Sequence, residues 1–268
     1  MVRVREVAVF VSIFVLCLSL NLLAETVGTP ASCGFPAGPG LITKDKFIEK
    51  GLRPIYITGL TEFVFKKQLD SGVTSNLEIK GYWYLSKISL AIKDNFQPFI
   101  LLGSSALDLS GDMGTTKIKS DGDGSFAYGG GFSWLFYKIP AYDVSLTLTG
   151  LYRESKLDGK MKKPTSNVSN LDTKVEELVV ALTASKDMTI CKIPIRPYVS
   201  LLYDDNDVHF RFNTNSGTVA YDLGIIDNHR NVGLALGCEK EFLKGLALNT
   251  EVRFFTELGA TAGLTLKF

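Results

Sequence analysis

The chain is poor in the groups that most often carry chemistry. It has two histidines, two tryptophans and four cysteines in 268 residues. The histidines stand apart from any cysteine or glutamate cluster, so neither a metal centre nor a cofactor is expected. Cys17 falls in the amino-terminal apolar run, and the odd set that remains (Cys33, Cys191, Cys238) is not a disulfide framework. At most one pair can form, and Cys33 with Cys191 is the pair that the side shared with the termini allows. An excess of either charge is also missing. Twenty-nine Lys and Arg against 28 Asp and Glu leave a net charge of +1, which argues against nucleic acid or a strongly acidic partner. Beyond the amino terminus no run of 18 apolar residues occurs, which excludes a spanning helix there.

What is present begins with a targeting segment. Arg3 and Arg5 precede an uncharged apolar run from Val7 to Leu20, and Ala24 offers a small residue for cleavage. That layout reads as a secretory signal peptide over 1–24. Residues 25–52 show no alternation and are rich in Pro, Gly and small residues in their first half, which reads as a periplasmic extension. The barrel described next would occupy 53–268.

From residue 54 onward the hydrophobic period is two. In "VEELVVALTA", Leu178, Val180 and Leu182 share one face, and Glu177, Val179 and Ala181 the other. "NVGLALGCEKEF" sets Val232, Leu234, Leu236 and Cys238 against Gly233, Ala235, Gly237 and Glu239. This is the alternation of strands, not the 3.6-residue repeat of helices. Ten such segments are expected: 55–68, 77–93, 96–109, 124–138, 141–155, 173–187, 194–207, 229–242, 245–256 and 259–268. Several exceed the five or six residues usual in soluble strands and match the roughly 9–11 that a tilted membrane-crossing strand needs. Long polar connections (69–76, 110–123, 156–172, 208–228) alternate with short ones. The pattern predicts an all-β, up-and-down antiparallel transmembrane barrel of ten strands, with eight as the nearest alternative. Leu, Val, Ile and Phe would face lipid, Gly, Ser, Thr and some charge would line the interior, and aromatics would gather near strand ends, among them Trp83, Phe99, Trp134 and Tyr198.

The segments "DGDGSFAYGGGFSWLFYK", "RPYVSLLYDD", "NVGLALGCEKEF" and "NTEVRFFTELGATAGLTLKF" resemble the small outer-membrane β-barrels of diderm bacteria, in the broad OmpA-like or porin-like grouping. The resemblance covers about 50–268. The ending, with Thr261, Gly263, Leu266 and Phe268 in a polar-x-Gly-x-x-apolar-x-aromatic pattern, is similar to the terminal signal read by the barrel-assembly machinery. The resemblance implies that machinery and outer-membrane lipid as partners, and the bacterial outer membrane as the location.

Parity places Arg153, Glu177, Arg196, Glu239, Glu251, Arg253 and Lys267 mostly on the face opposite the apolar residues. The interior of a ten-strand barrel is narrow enough for side chains to fill. These charges are therefore expected to pair as a lumen network, or else to line a small selective path. Two short motifs offer a different chemistry. Asp121-x-Asp123 and Asp207-x-His209 resemble the acid pair and the Asp–His pair of the ten-stranded omptin proteases, in which they activate water. "DGDGS" lacks the closing Glu of a Ca²⁺ loop. The expectation is a non-enzymatic, monomeric outer-membrane barrel with a structural or surface role and limited passage of small solutes. The alternatives are a porin for small solutes and an omptin-like protease.

Overall fold

The computed structural model describes residues 55–70, 75–92, 95–113, 116–121, 124–161, 169–190, 193–213, 227–228, 231–243 and 245–268. The expected signal peptide and extension, Cys33, Cys191 and Asp123 lie outside these described residues.

The described strands are β1 (Ile55–Asp70), β2 (Ser75–Leu90), β3 (Phe96–Met113), β4 (Thr116–Asp121), β5 (Ser125–Ile139), β6 (Val144–Met161), β7 (Ser169–Lys186), β8 (Met188–Ile190), β9 (Ile193–Asn213), β10 (Asp227–Asn228), β11 (Val232–Leu243), β12 (Leu246–Phe254) and β13 (Glu257–Lys267). Ten of them, β1, β2, β3, β5, β6, β7, β9, β11, β12 and β13, form the wall. Each pairs antiparallel with the next, and β13 pairs back onto β1 from Tyr56↔Lys267 to Lys67↔Glu257. The barrel is closed, so it leaves no wall edge to pair with another chain.

The turns fall in two sets. At the end that carries residue 55 and Phe268, the links are short, and two use left-handed backbone: Asp143 (φ 54°) and Gly245 (φ 82°). At the opposite end the strands run further than their hydrophobic pattern. The 110–123 segment, expected as a loop, contains β4 folded back on β3 from Asp108↔Asp121 to Met113↔Thr116. Likewise β6 and β7 stay paired out to Met161↔Ser169, well inside the expected 156–172 loop. In sequence these extensions are polar at both parities, so alternation vanishes while the backbone ladder continues.

The outer face is apolar. A row of outward side chains can be followed through the pairing register across seven staves: Phe96, Trp134, Leu148, Leu182, Leu201, Leu234 and Phe254. Leu182 is 45% exposed and Leu201 51%. In water such a belt would forfeit about 25 cal/mol per Å² of apolar surface, whereas in hydrocarbon it costs nothing.

The interior departs from expectation. Besides Ser, Thr and charge it holds a cluster of Leu69, Leu77, Ile79, Leu107, Leu109, Leu157, Val175 and Val208 with Trp83, Leu85, Phe99 and Leu101. Trp83, Phe99 and Tyr198, expected near the headgroup level, point inward and are buried. A lumen this narrow behaves as a packed core and accepts large apolar groups. "YGGG" makes room for one of them: a Cβ on Gly131 would sit 2.8 Å from the Phe99 ring.

Candidate functional site

The most concentrated chemistry lies inside the barrel. On β1, Tyr56, Thr58, Leu60, Glu62 and Val64 point inward in turn and are buried. A bulge then shifts the register between Val64 and Lys67, leaving Phe65 and Lys66 both exposed and turning Lys67 inward. Without that extra residue Lys67 would face outward.

Around Lys67 the opposite staves β7 and β9 and the neighbouring stave β13 supply carboxylates. Its Nζ lies 2.7 Å from Glu177 Oε1 on β7, 2.8 Å from Asp204 Oδ2 on β9 and 3.5 Å from Glu257 Oε2 on β13. Arg153, on β6, donates from both terminal nitrogens to Glu62 at 2.6 and 2.7 Å, and from Nε to Glu177. Its guanidinium stacks on the Trp83 ring with 4.2 Å to the centroid. Arg253, on β12, reaches Glu257 (2.6 Å), Glu251 (3.0 Å), Glu62 (3.2 Å) and the Thr261 hydroxyl (3.3 Å). Asn206 donates to Asp204 at 2.5 Å. All these side chains are buried.

The result is one connected cluster of Lys67, Arg153 and Arg253 with Glu62, Glu177, Asp204, Glu251 and Glu257. Each buried charge has a partner, as the cost of desolvation demands. The carboxylates of Glu177, Asp204 and Glu257 converge within 4.8 Å, a spacing that could hold a metal ion. Lys67 already places its ammonium against all three, so the position a cation would take is filled by the protein itself.

Of the seven charges expected in the lumen, Arg153, Glu177, Glu251 and Arg253 belong to this cluster. Arg196 and Glu239 form a second one towards the short-turn end. Arg196 bonds Asp187 at 2.5 Å and lies 3.8 Å from Glu239, while Asn249 links Glu239 to the Tyr198 hydroxyl. Lys267 is also inside but separate, over the Tyr56 ring at 5.9 Å. Four members went unnoticed in the sequence. Glu62 and Asp204 have the right parity with Leu60 and Leu202; Lys67 is hidden by the bulge; Glu257 sits in what reads as a turn.

The Asp207 and His209 pair is not brought to the lumen. Asp207 and His209 stand on β9 opposite Glu176 and Lys174 of β7, and neither is in the buried lumen set. His209 Nε2 lies 3.2 Å from Glu176 Oε2, in a rim cluster where Lys174 bonds Glu176 (2.9 Å) and Glu154 (3.1 Å) and the Tyr152 hydroxyl donates to Glu176 (2.5 Å). Asp121 closes β4 in register with Asp108 of β3. Cys238, as expected, shares the outer parity of Leu234 and Leu236, and is half-buried. In the terminal pattern, Thr261 and Gly263 are buried, while Leu266 and Phe268 are half-buried on the outer parity.

The sequence matches no protein-family model and no curated protein. Among solved structures, the chain is similar to the translocator domain of the autotransporter NalP from Neisseria meningitidis at 11% identity. That match covers 83% of this chain and 92% of that one, with a TM-score of 0.48. The beta domain of the Bordetella autotransporter BrkA matches at 10% identity over 81% and 100%, with a TM-score of 0.48. The outer-membrane protease OmpT from Escherichia coli matches at 9% identity over 81% and 97%, with a TM-score of 0.45. The assignment of this chain as a closed ten-strand antiparallel barrel rests on the pairing of its own staves, not on these likenesses.

Proposed function

We propose that the chain is a monomeric barrel of the bacterial outer membrane with a structural or surface role, whose lumen is shut to solutes at the level of Lys67. The observation that carries this reading is the bond from Lys67 to Glu177, which joins opposite sides of the wall through the lumen. Arg153 and Arg253 reach Glu62 beside it, and the buried apolar cluster adds a second fill. A path for water or ions would require separating several buried ion pairs at once, each costly to break. The apolar belt supports lipid as the solvent of the outer face. The terminal pattern supports delivery by the barrel-assembly machinery.

The test is direct. Purified protein inserted in planar bilayers is expected to remain electrically silent, with insertion confirmed by heat-modifiable gel mobility of the same preparation. Discrete conductance steps at wild-type sequence would establish the porin alternative. Protein that stays soluble without detergent and leaves the membrane fraction would overturn the membrane assignment.

A further inference from the structure

The wall is uneven at the long-loop end. β9 continues to Asn213 and β1 to Asp70, while β11 is paired with β9 to Val232↔Tyr203, with one further bond from the Asp204 amide to the Asn231 carbonyl, and β12 and β13 end at the Phe254–Glu257 turn. Between the taller staves lies a notch, and β10 crosses its top by pairing with Leu69 and Asp70 of β1.

A cavity of about 530 Å³ opens in this notch, lined by Lys66, Gln68, Phe254, Phe255, Thr256 and Leu258 with Glu257 at its inner side. That volume is within the range of small-molecule sites. Three independent features mark it. Phe255 holds a left-handed backbone (φ 79°), which is strained for an aromatic residue and accumulates at functional sites. Thr256 is 95% buried, yet its Oγ1 has no hydrogen-bond partner among the described residues. Lys66, thrown outward by the β1 bulge, stands exposed at the rim and pairs with no carboxylate among the described residues. Below it, Phe254 and Leu258 continue the lipid-facing belt.

We propose that this notch binds a single-chain anionic amphiphile of the fatty-acid class, its carboxylate on Lys66 and its chain against Phe254, Phe255 and Leu258. The polar group lies where the belt ends and the apolar lining where it continues, so charge and hydrophobicity are separated along the wall as they are along such a molecule. The site rests on the membrane-embedded reading of the barrel, not on the closed lumen.

The experiment uses a diazirine-bearing palmitate on the full-length protein in detergent, with crosslinks mapped by mass spectrometry. Labelling is expected to concentrate on 254–258 and to be competed by palmitate. Lys66→Glu is expected to lower it roughly tenfold or more, the value of one charge-assisted bond. Lys138→Glu, an exposed charge at the other end of the wall, is expected to leave it unchanged. Lys66→Gln provides the same reading without charge reversal if Lys66→Glu folds poorly. Label spread evenly around the belt overturns the site, as does equal labelling by the corresponding fatty alcohol, or protection by a two-chain anionic phospholipid but not by palmitate. Heat-modifiable mobility of the same sample separates failures: a folded barrel without focused label sinks the site alone, and lost modifiability sinks the barrel.

Discussion

Lys67 and Glu177 come from staves directly opposite one another. Four staves (β2, β3, β5, β6) separate them on one side of the ring and four (β9, β11, β12, β13) on the other, yet Nζ and Oε1 are 2.7 Å apart. A bond of this span draws the two walls to a fixed separation at the level of the β12–β13 turn. It also exists only because a single extra residue in β1 reverses the direction of Lys67.

Lys67→Met is the most informative single change in this cluster. It keeps the length of the side chain and removes the charge that holds Glu177, Asp204 and Glu257 together. Three buried carboxylates are then left short of a cation, and losing one partner of a buried pair costs about 3–5 kcal/mol. Urea unfolding in detergent, followed by loss of the heat-modifiable band, is expected to shift to lower urea by an amount of that order. An unshifted midpoint would mean that the cluster contributes nothing net to stability.

Glu62 and Arg153 are expected to be coupled rather than additive. Their bidentate bond joins β1 to β6, but Arg153 also holds Glu177 and Glu62 also receives Arg253. Residues in one network show interaction energies of about 0.5–3 kcal/mol. A double-mutant cycle with Glu62→Gln and Arg153→Met, read by the same unfolding assay, should return a non-zero coupling in that range. Strict additivity would contradict the shared geometry.

Gly237 is predicted to tolerate no side chain. A Cβ there would lie 2.1 Å from Cζ of Tyr198, whose ring covers the glycine and whose hydroxyl donates to Asn249 at 3.1 Å. Gly237→Ala must push the ring away and break that bond. Overpacking of this kind costs about 1–3 kcal/mol. The expected result is lower thermal stability, and in a Tyr198→Ala background the same Gly237→Ala change is expected to cost almost nothing, because the ring it would strike is gone.

The fold was legible because the solvent imposes a strict rule. "VEELVVALTA" alternates since every second residue lies on the outer face of the wall, and Leu178, Val180 and Leu182 do lie outside. The rule fails wherever parity or solvent changes. Lys67 was unreadable because a bulge has no composition signature here beyond a run of Phe and Lys. The β4 and β6–β7 extensions were unreadable because polar residues at both parities carry no period. Leu107 and Val175 escape the rule that apolar residues face outward because a narrow lumen packs like a core, so apolar residues on the inner face look identical in sequence to those on the outer face. Of the site, the charges in regular strands, Arg153, Glu177, Glu251 and Arg253, could be placed by counting. Those beside the bulge and the β12–β13 turn could not.

Removal of Phe268 separates stability from delivery. Its backbone N–H donates to the Ile55 carbonyl at 2.8 Å, the last bond of the seam between β13 and β1. Net, one such bond is worth about 1 kcal/mol, too little to unfold a barrel closed by the Tyr56↔Lys267 to Lys67↔Glu257 ladder. Purified protein lacking Phe268 should therefore refold in detergent with nearly the wild-type unfolding midpoint. In cells the same deletion is expected to leave most of the protein unfolded and outside the outer-membrane fraction, whereas deleting one residue from 162–168 should not. A deletion that impairs refolding and delivery equally would make Phe268 a stabilising residue only. Normal delivery without it would remove the assembly signal from Thr261, Gly263, Leu266 and Phe268 altogether.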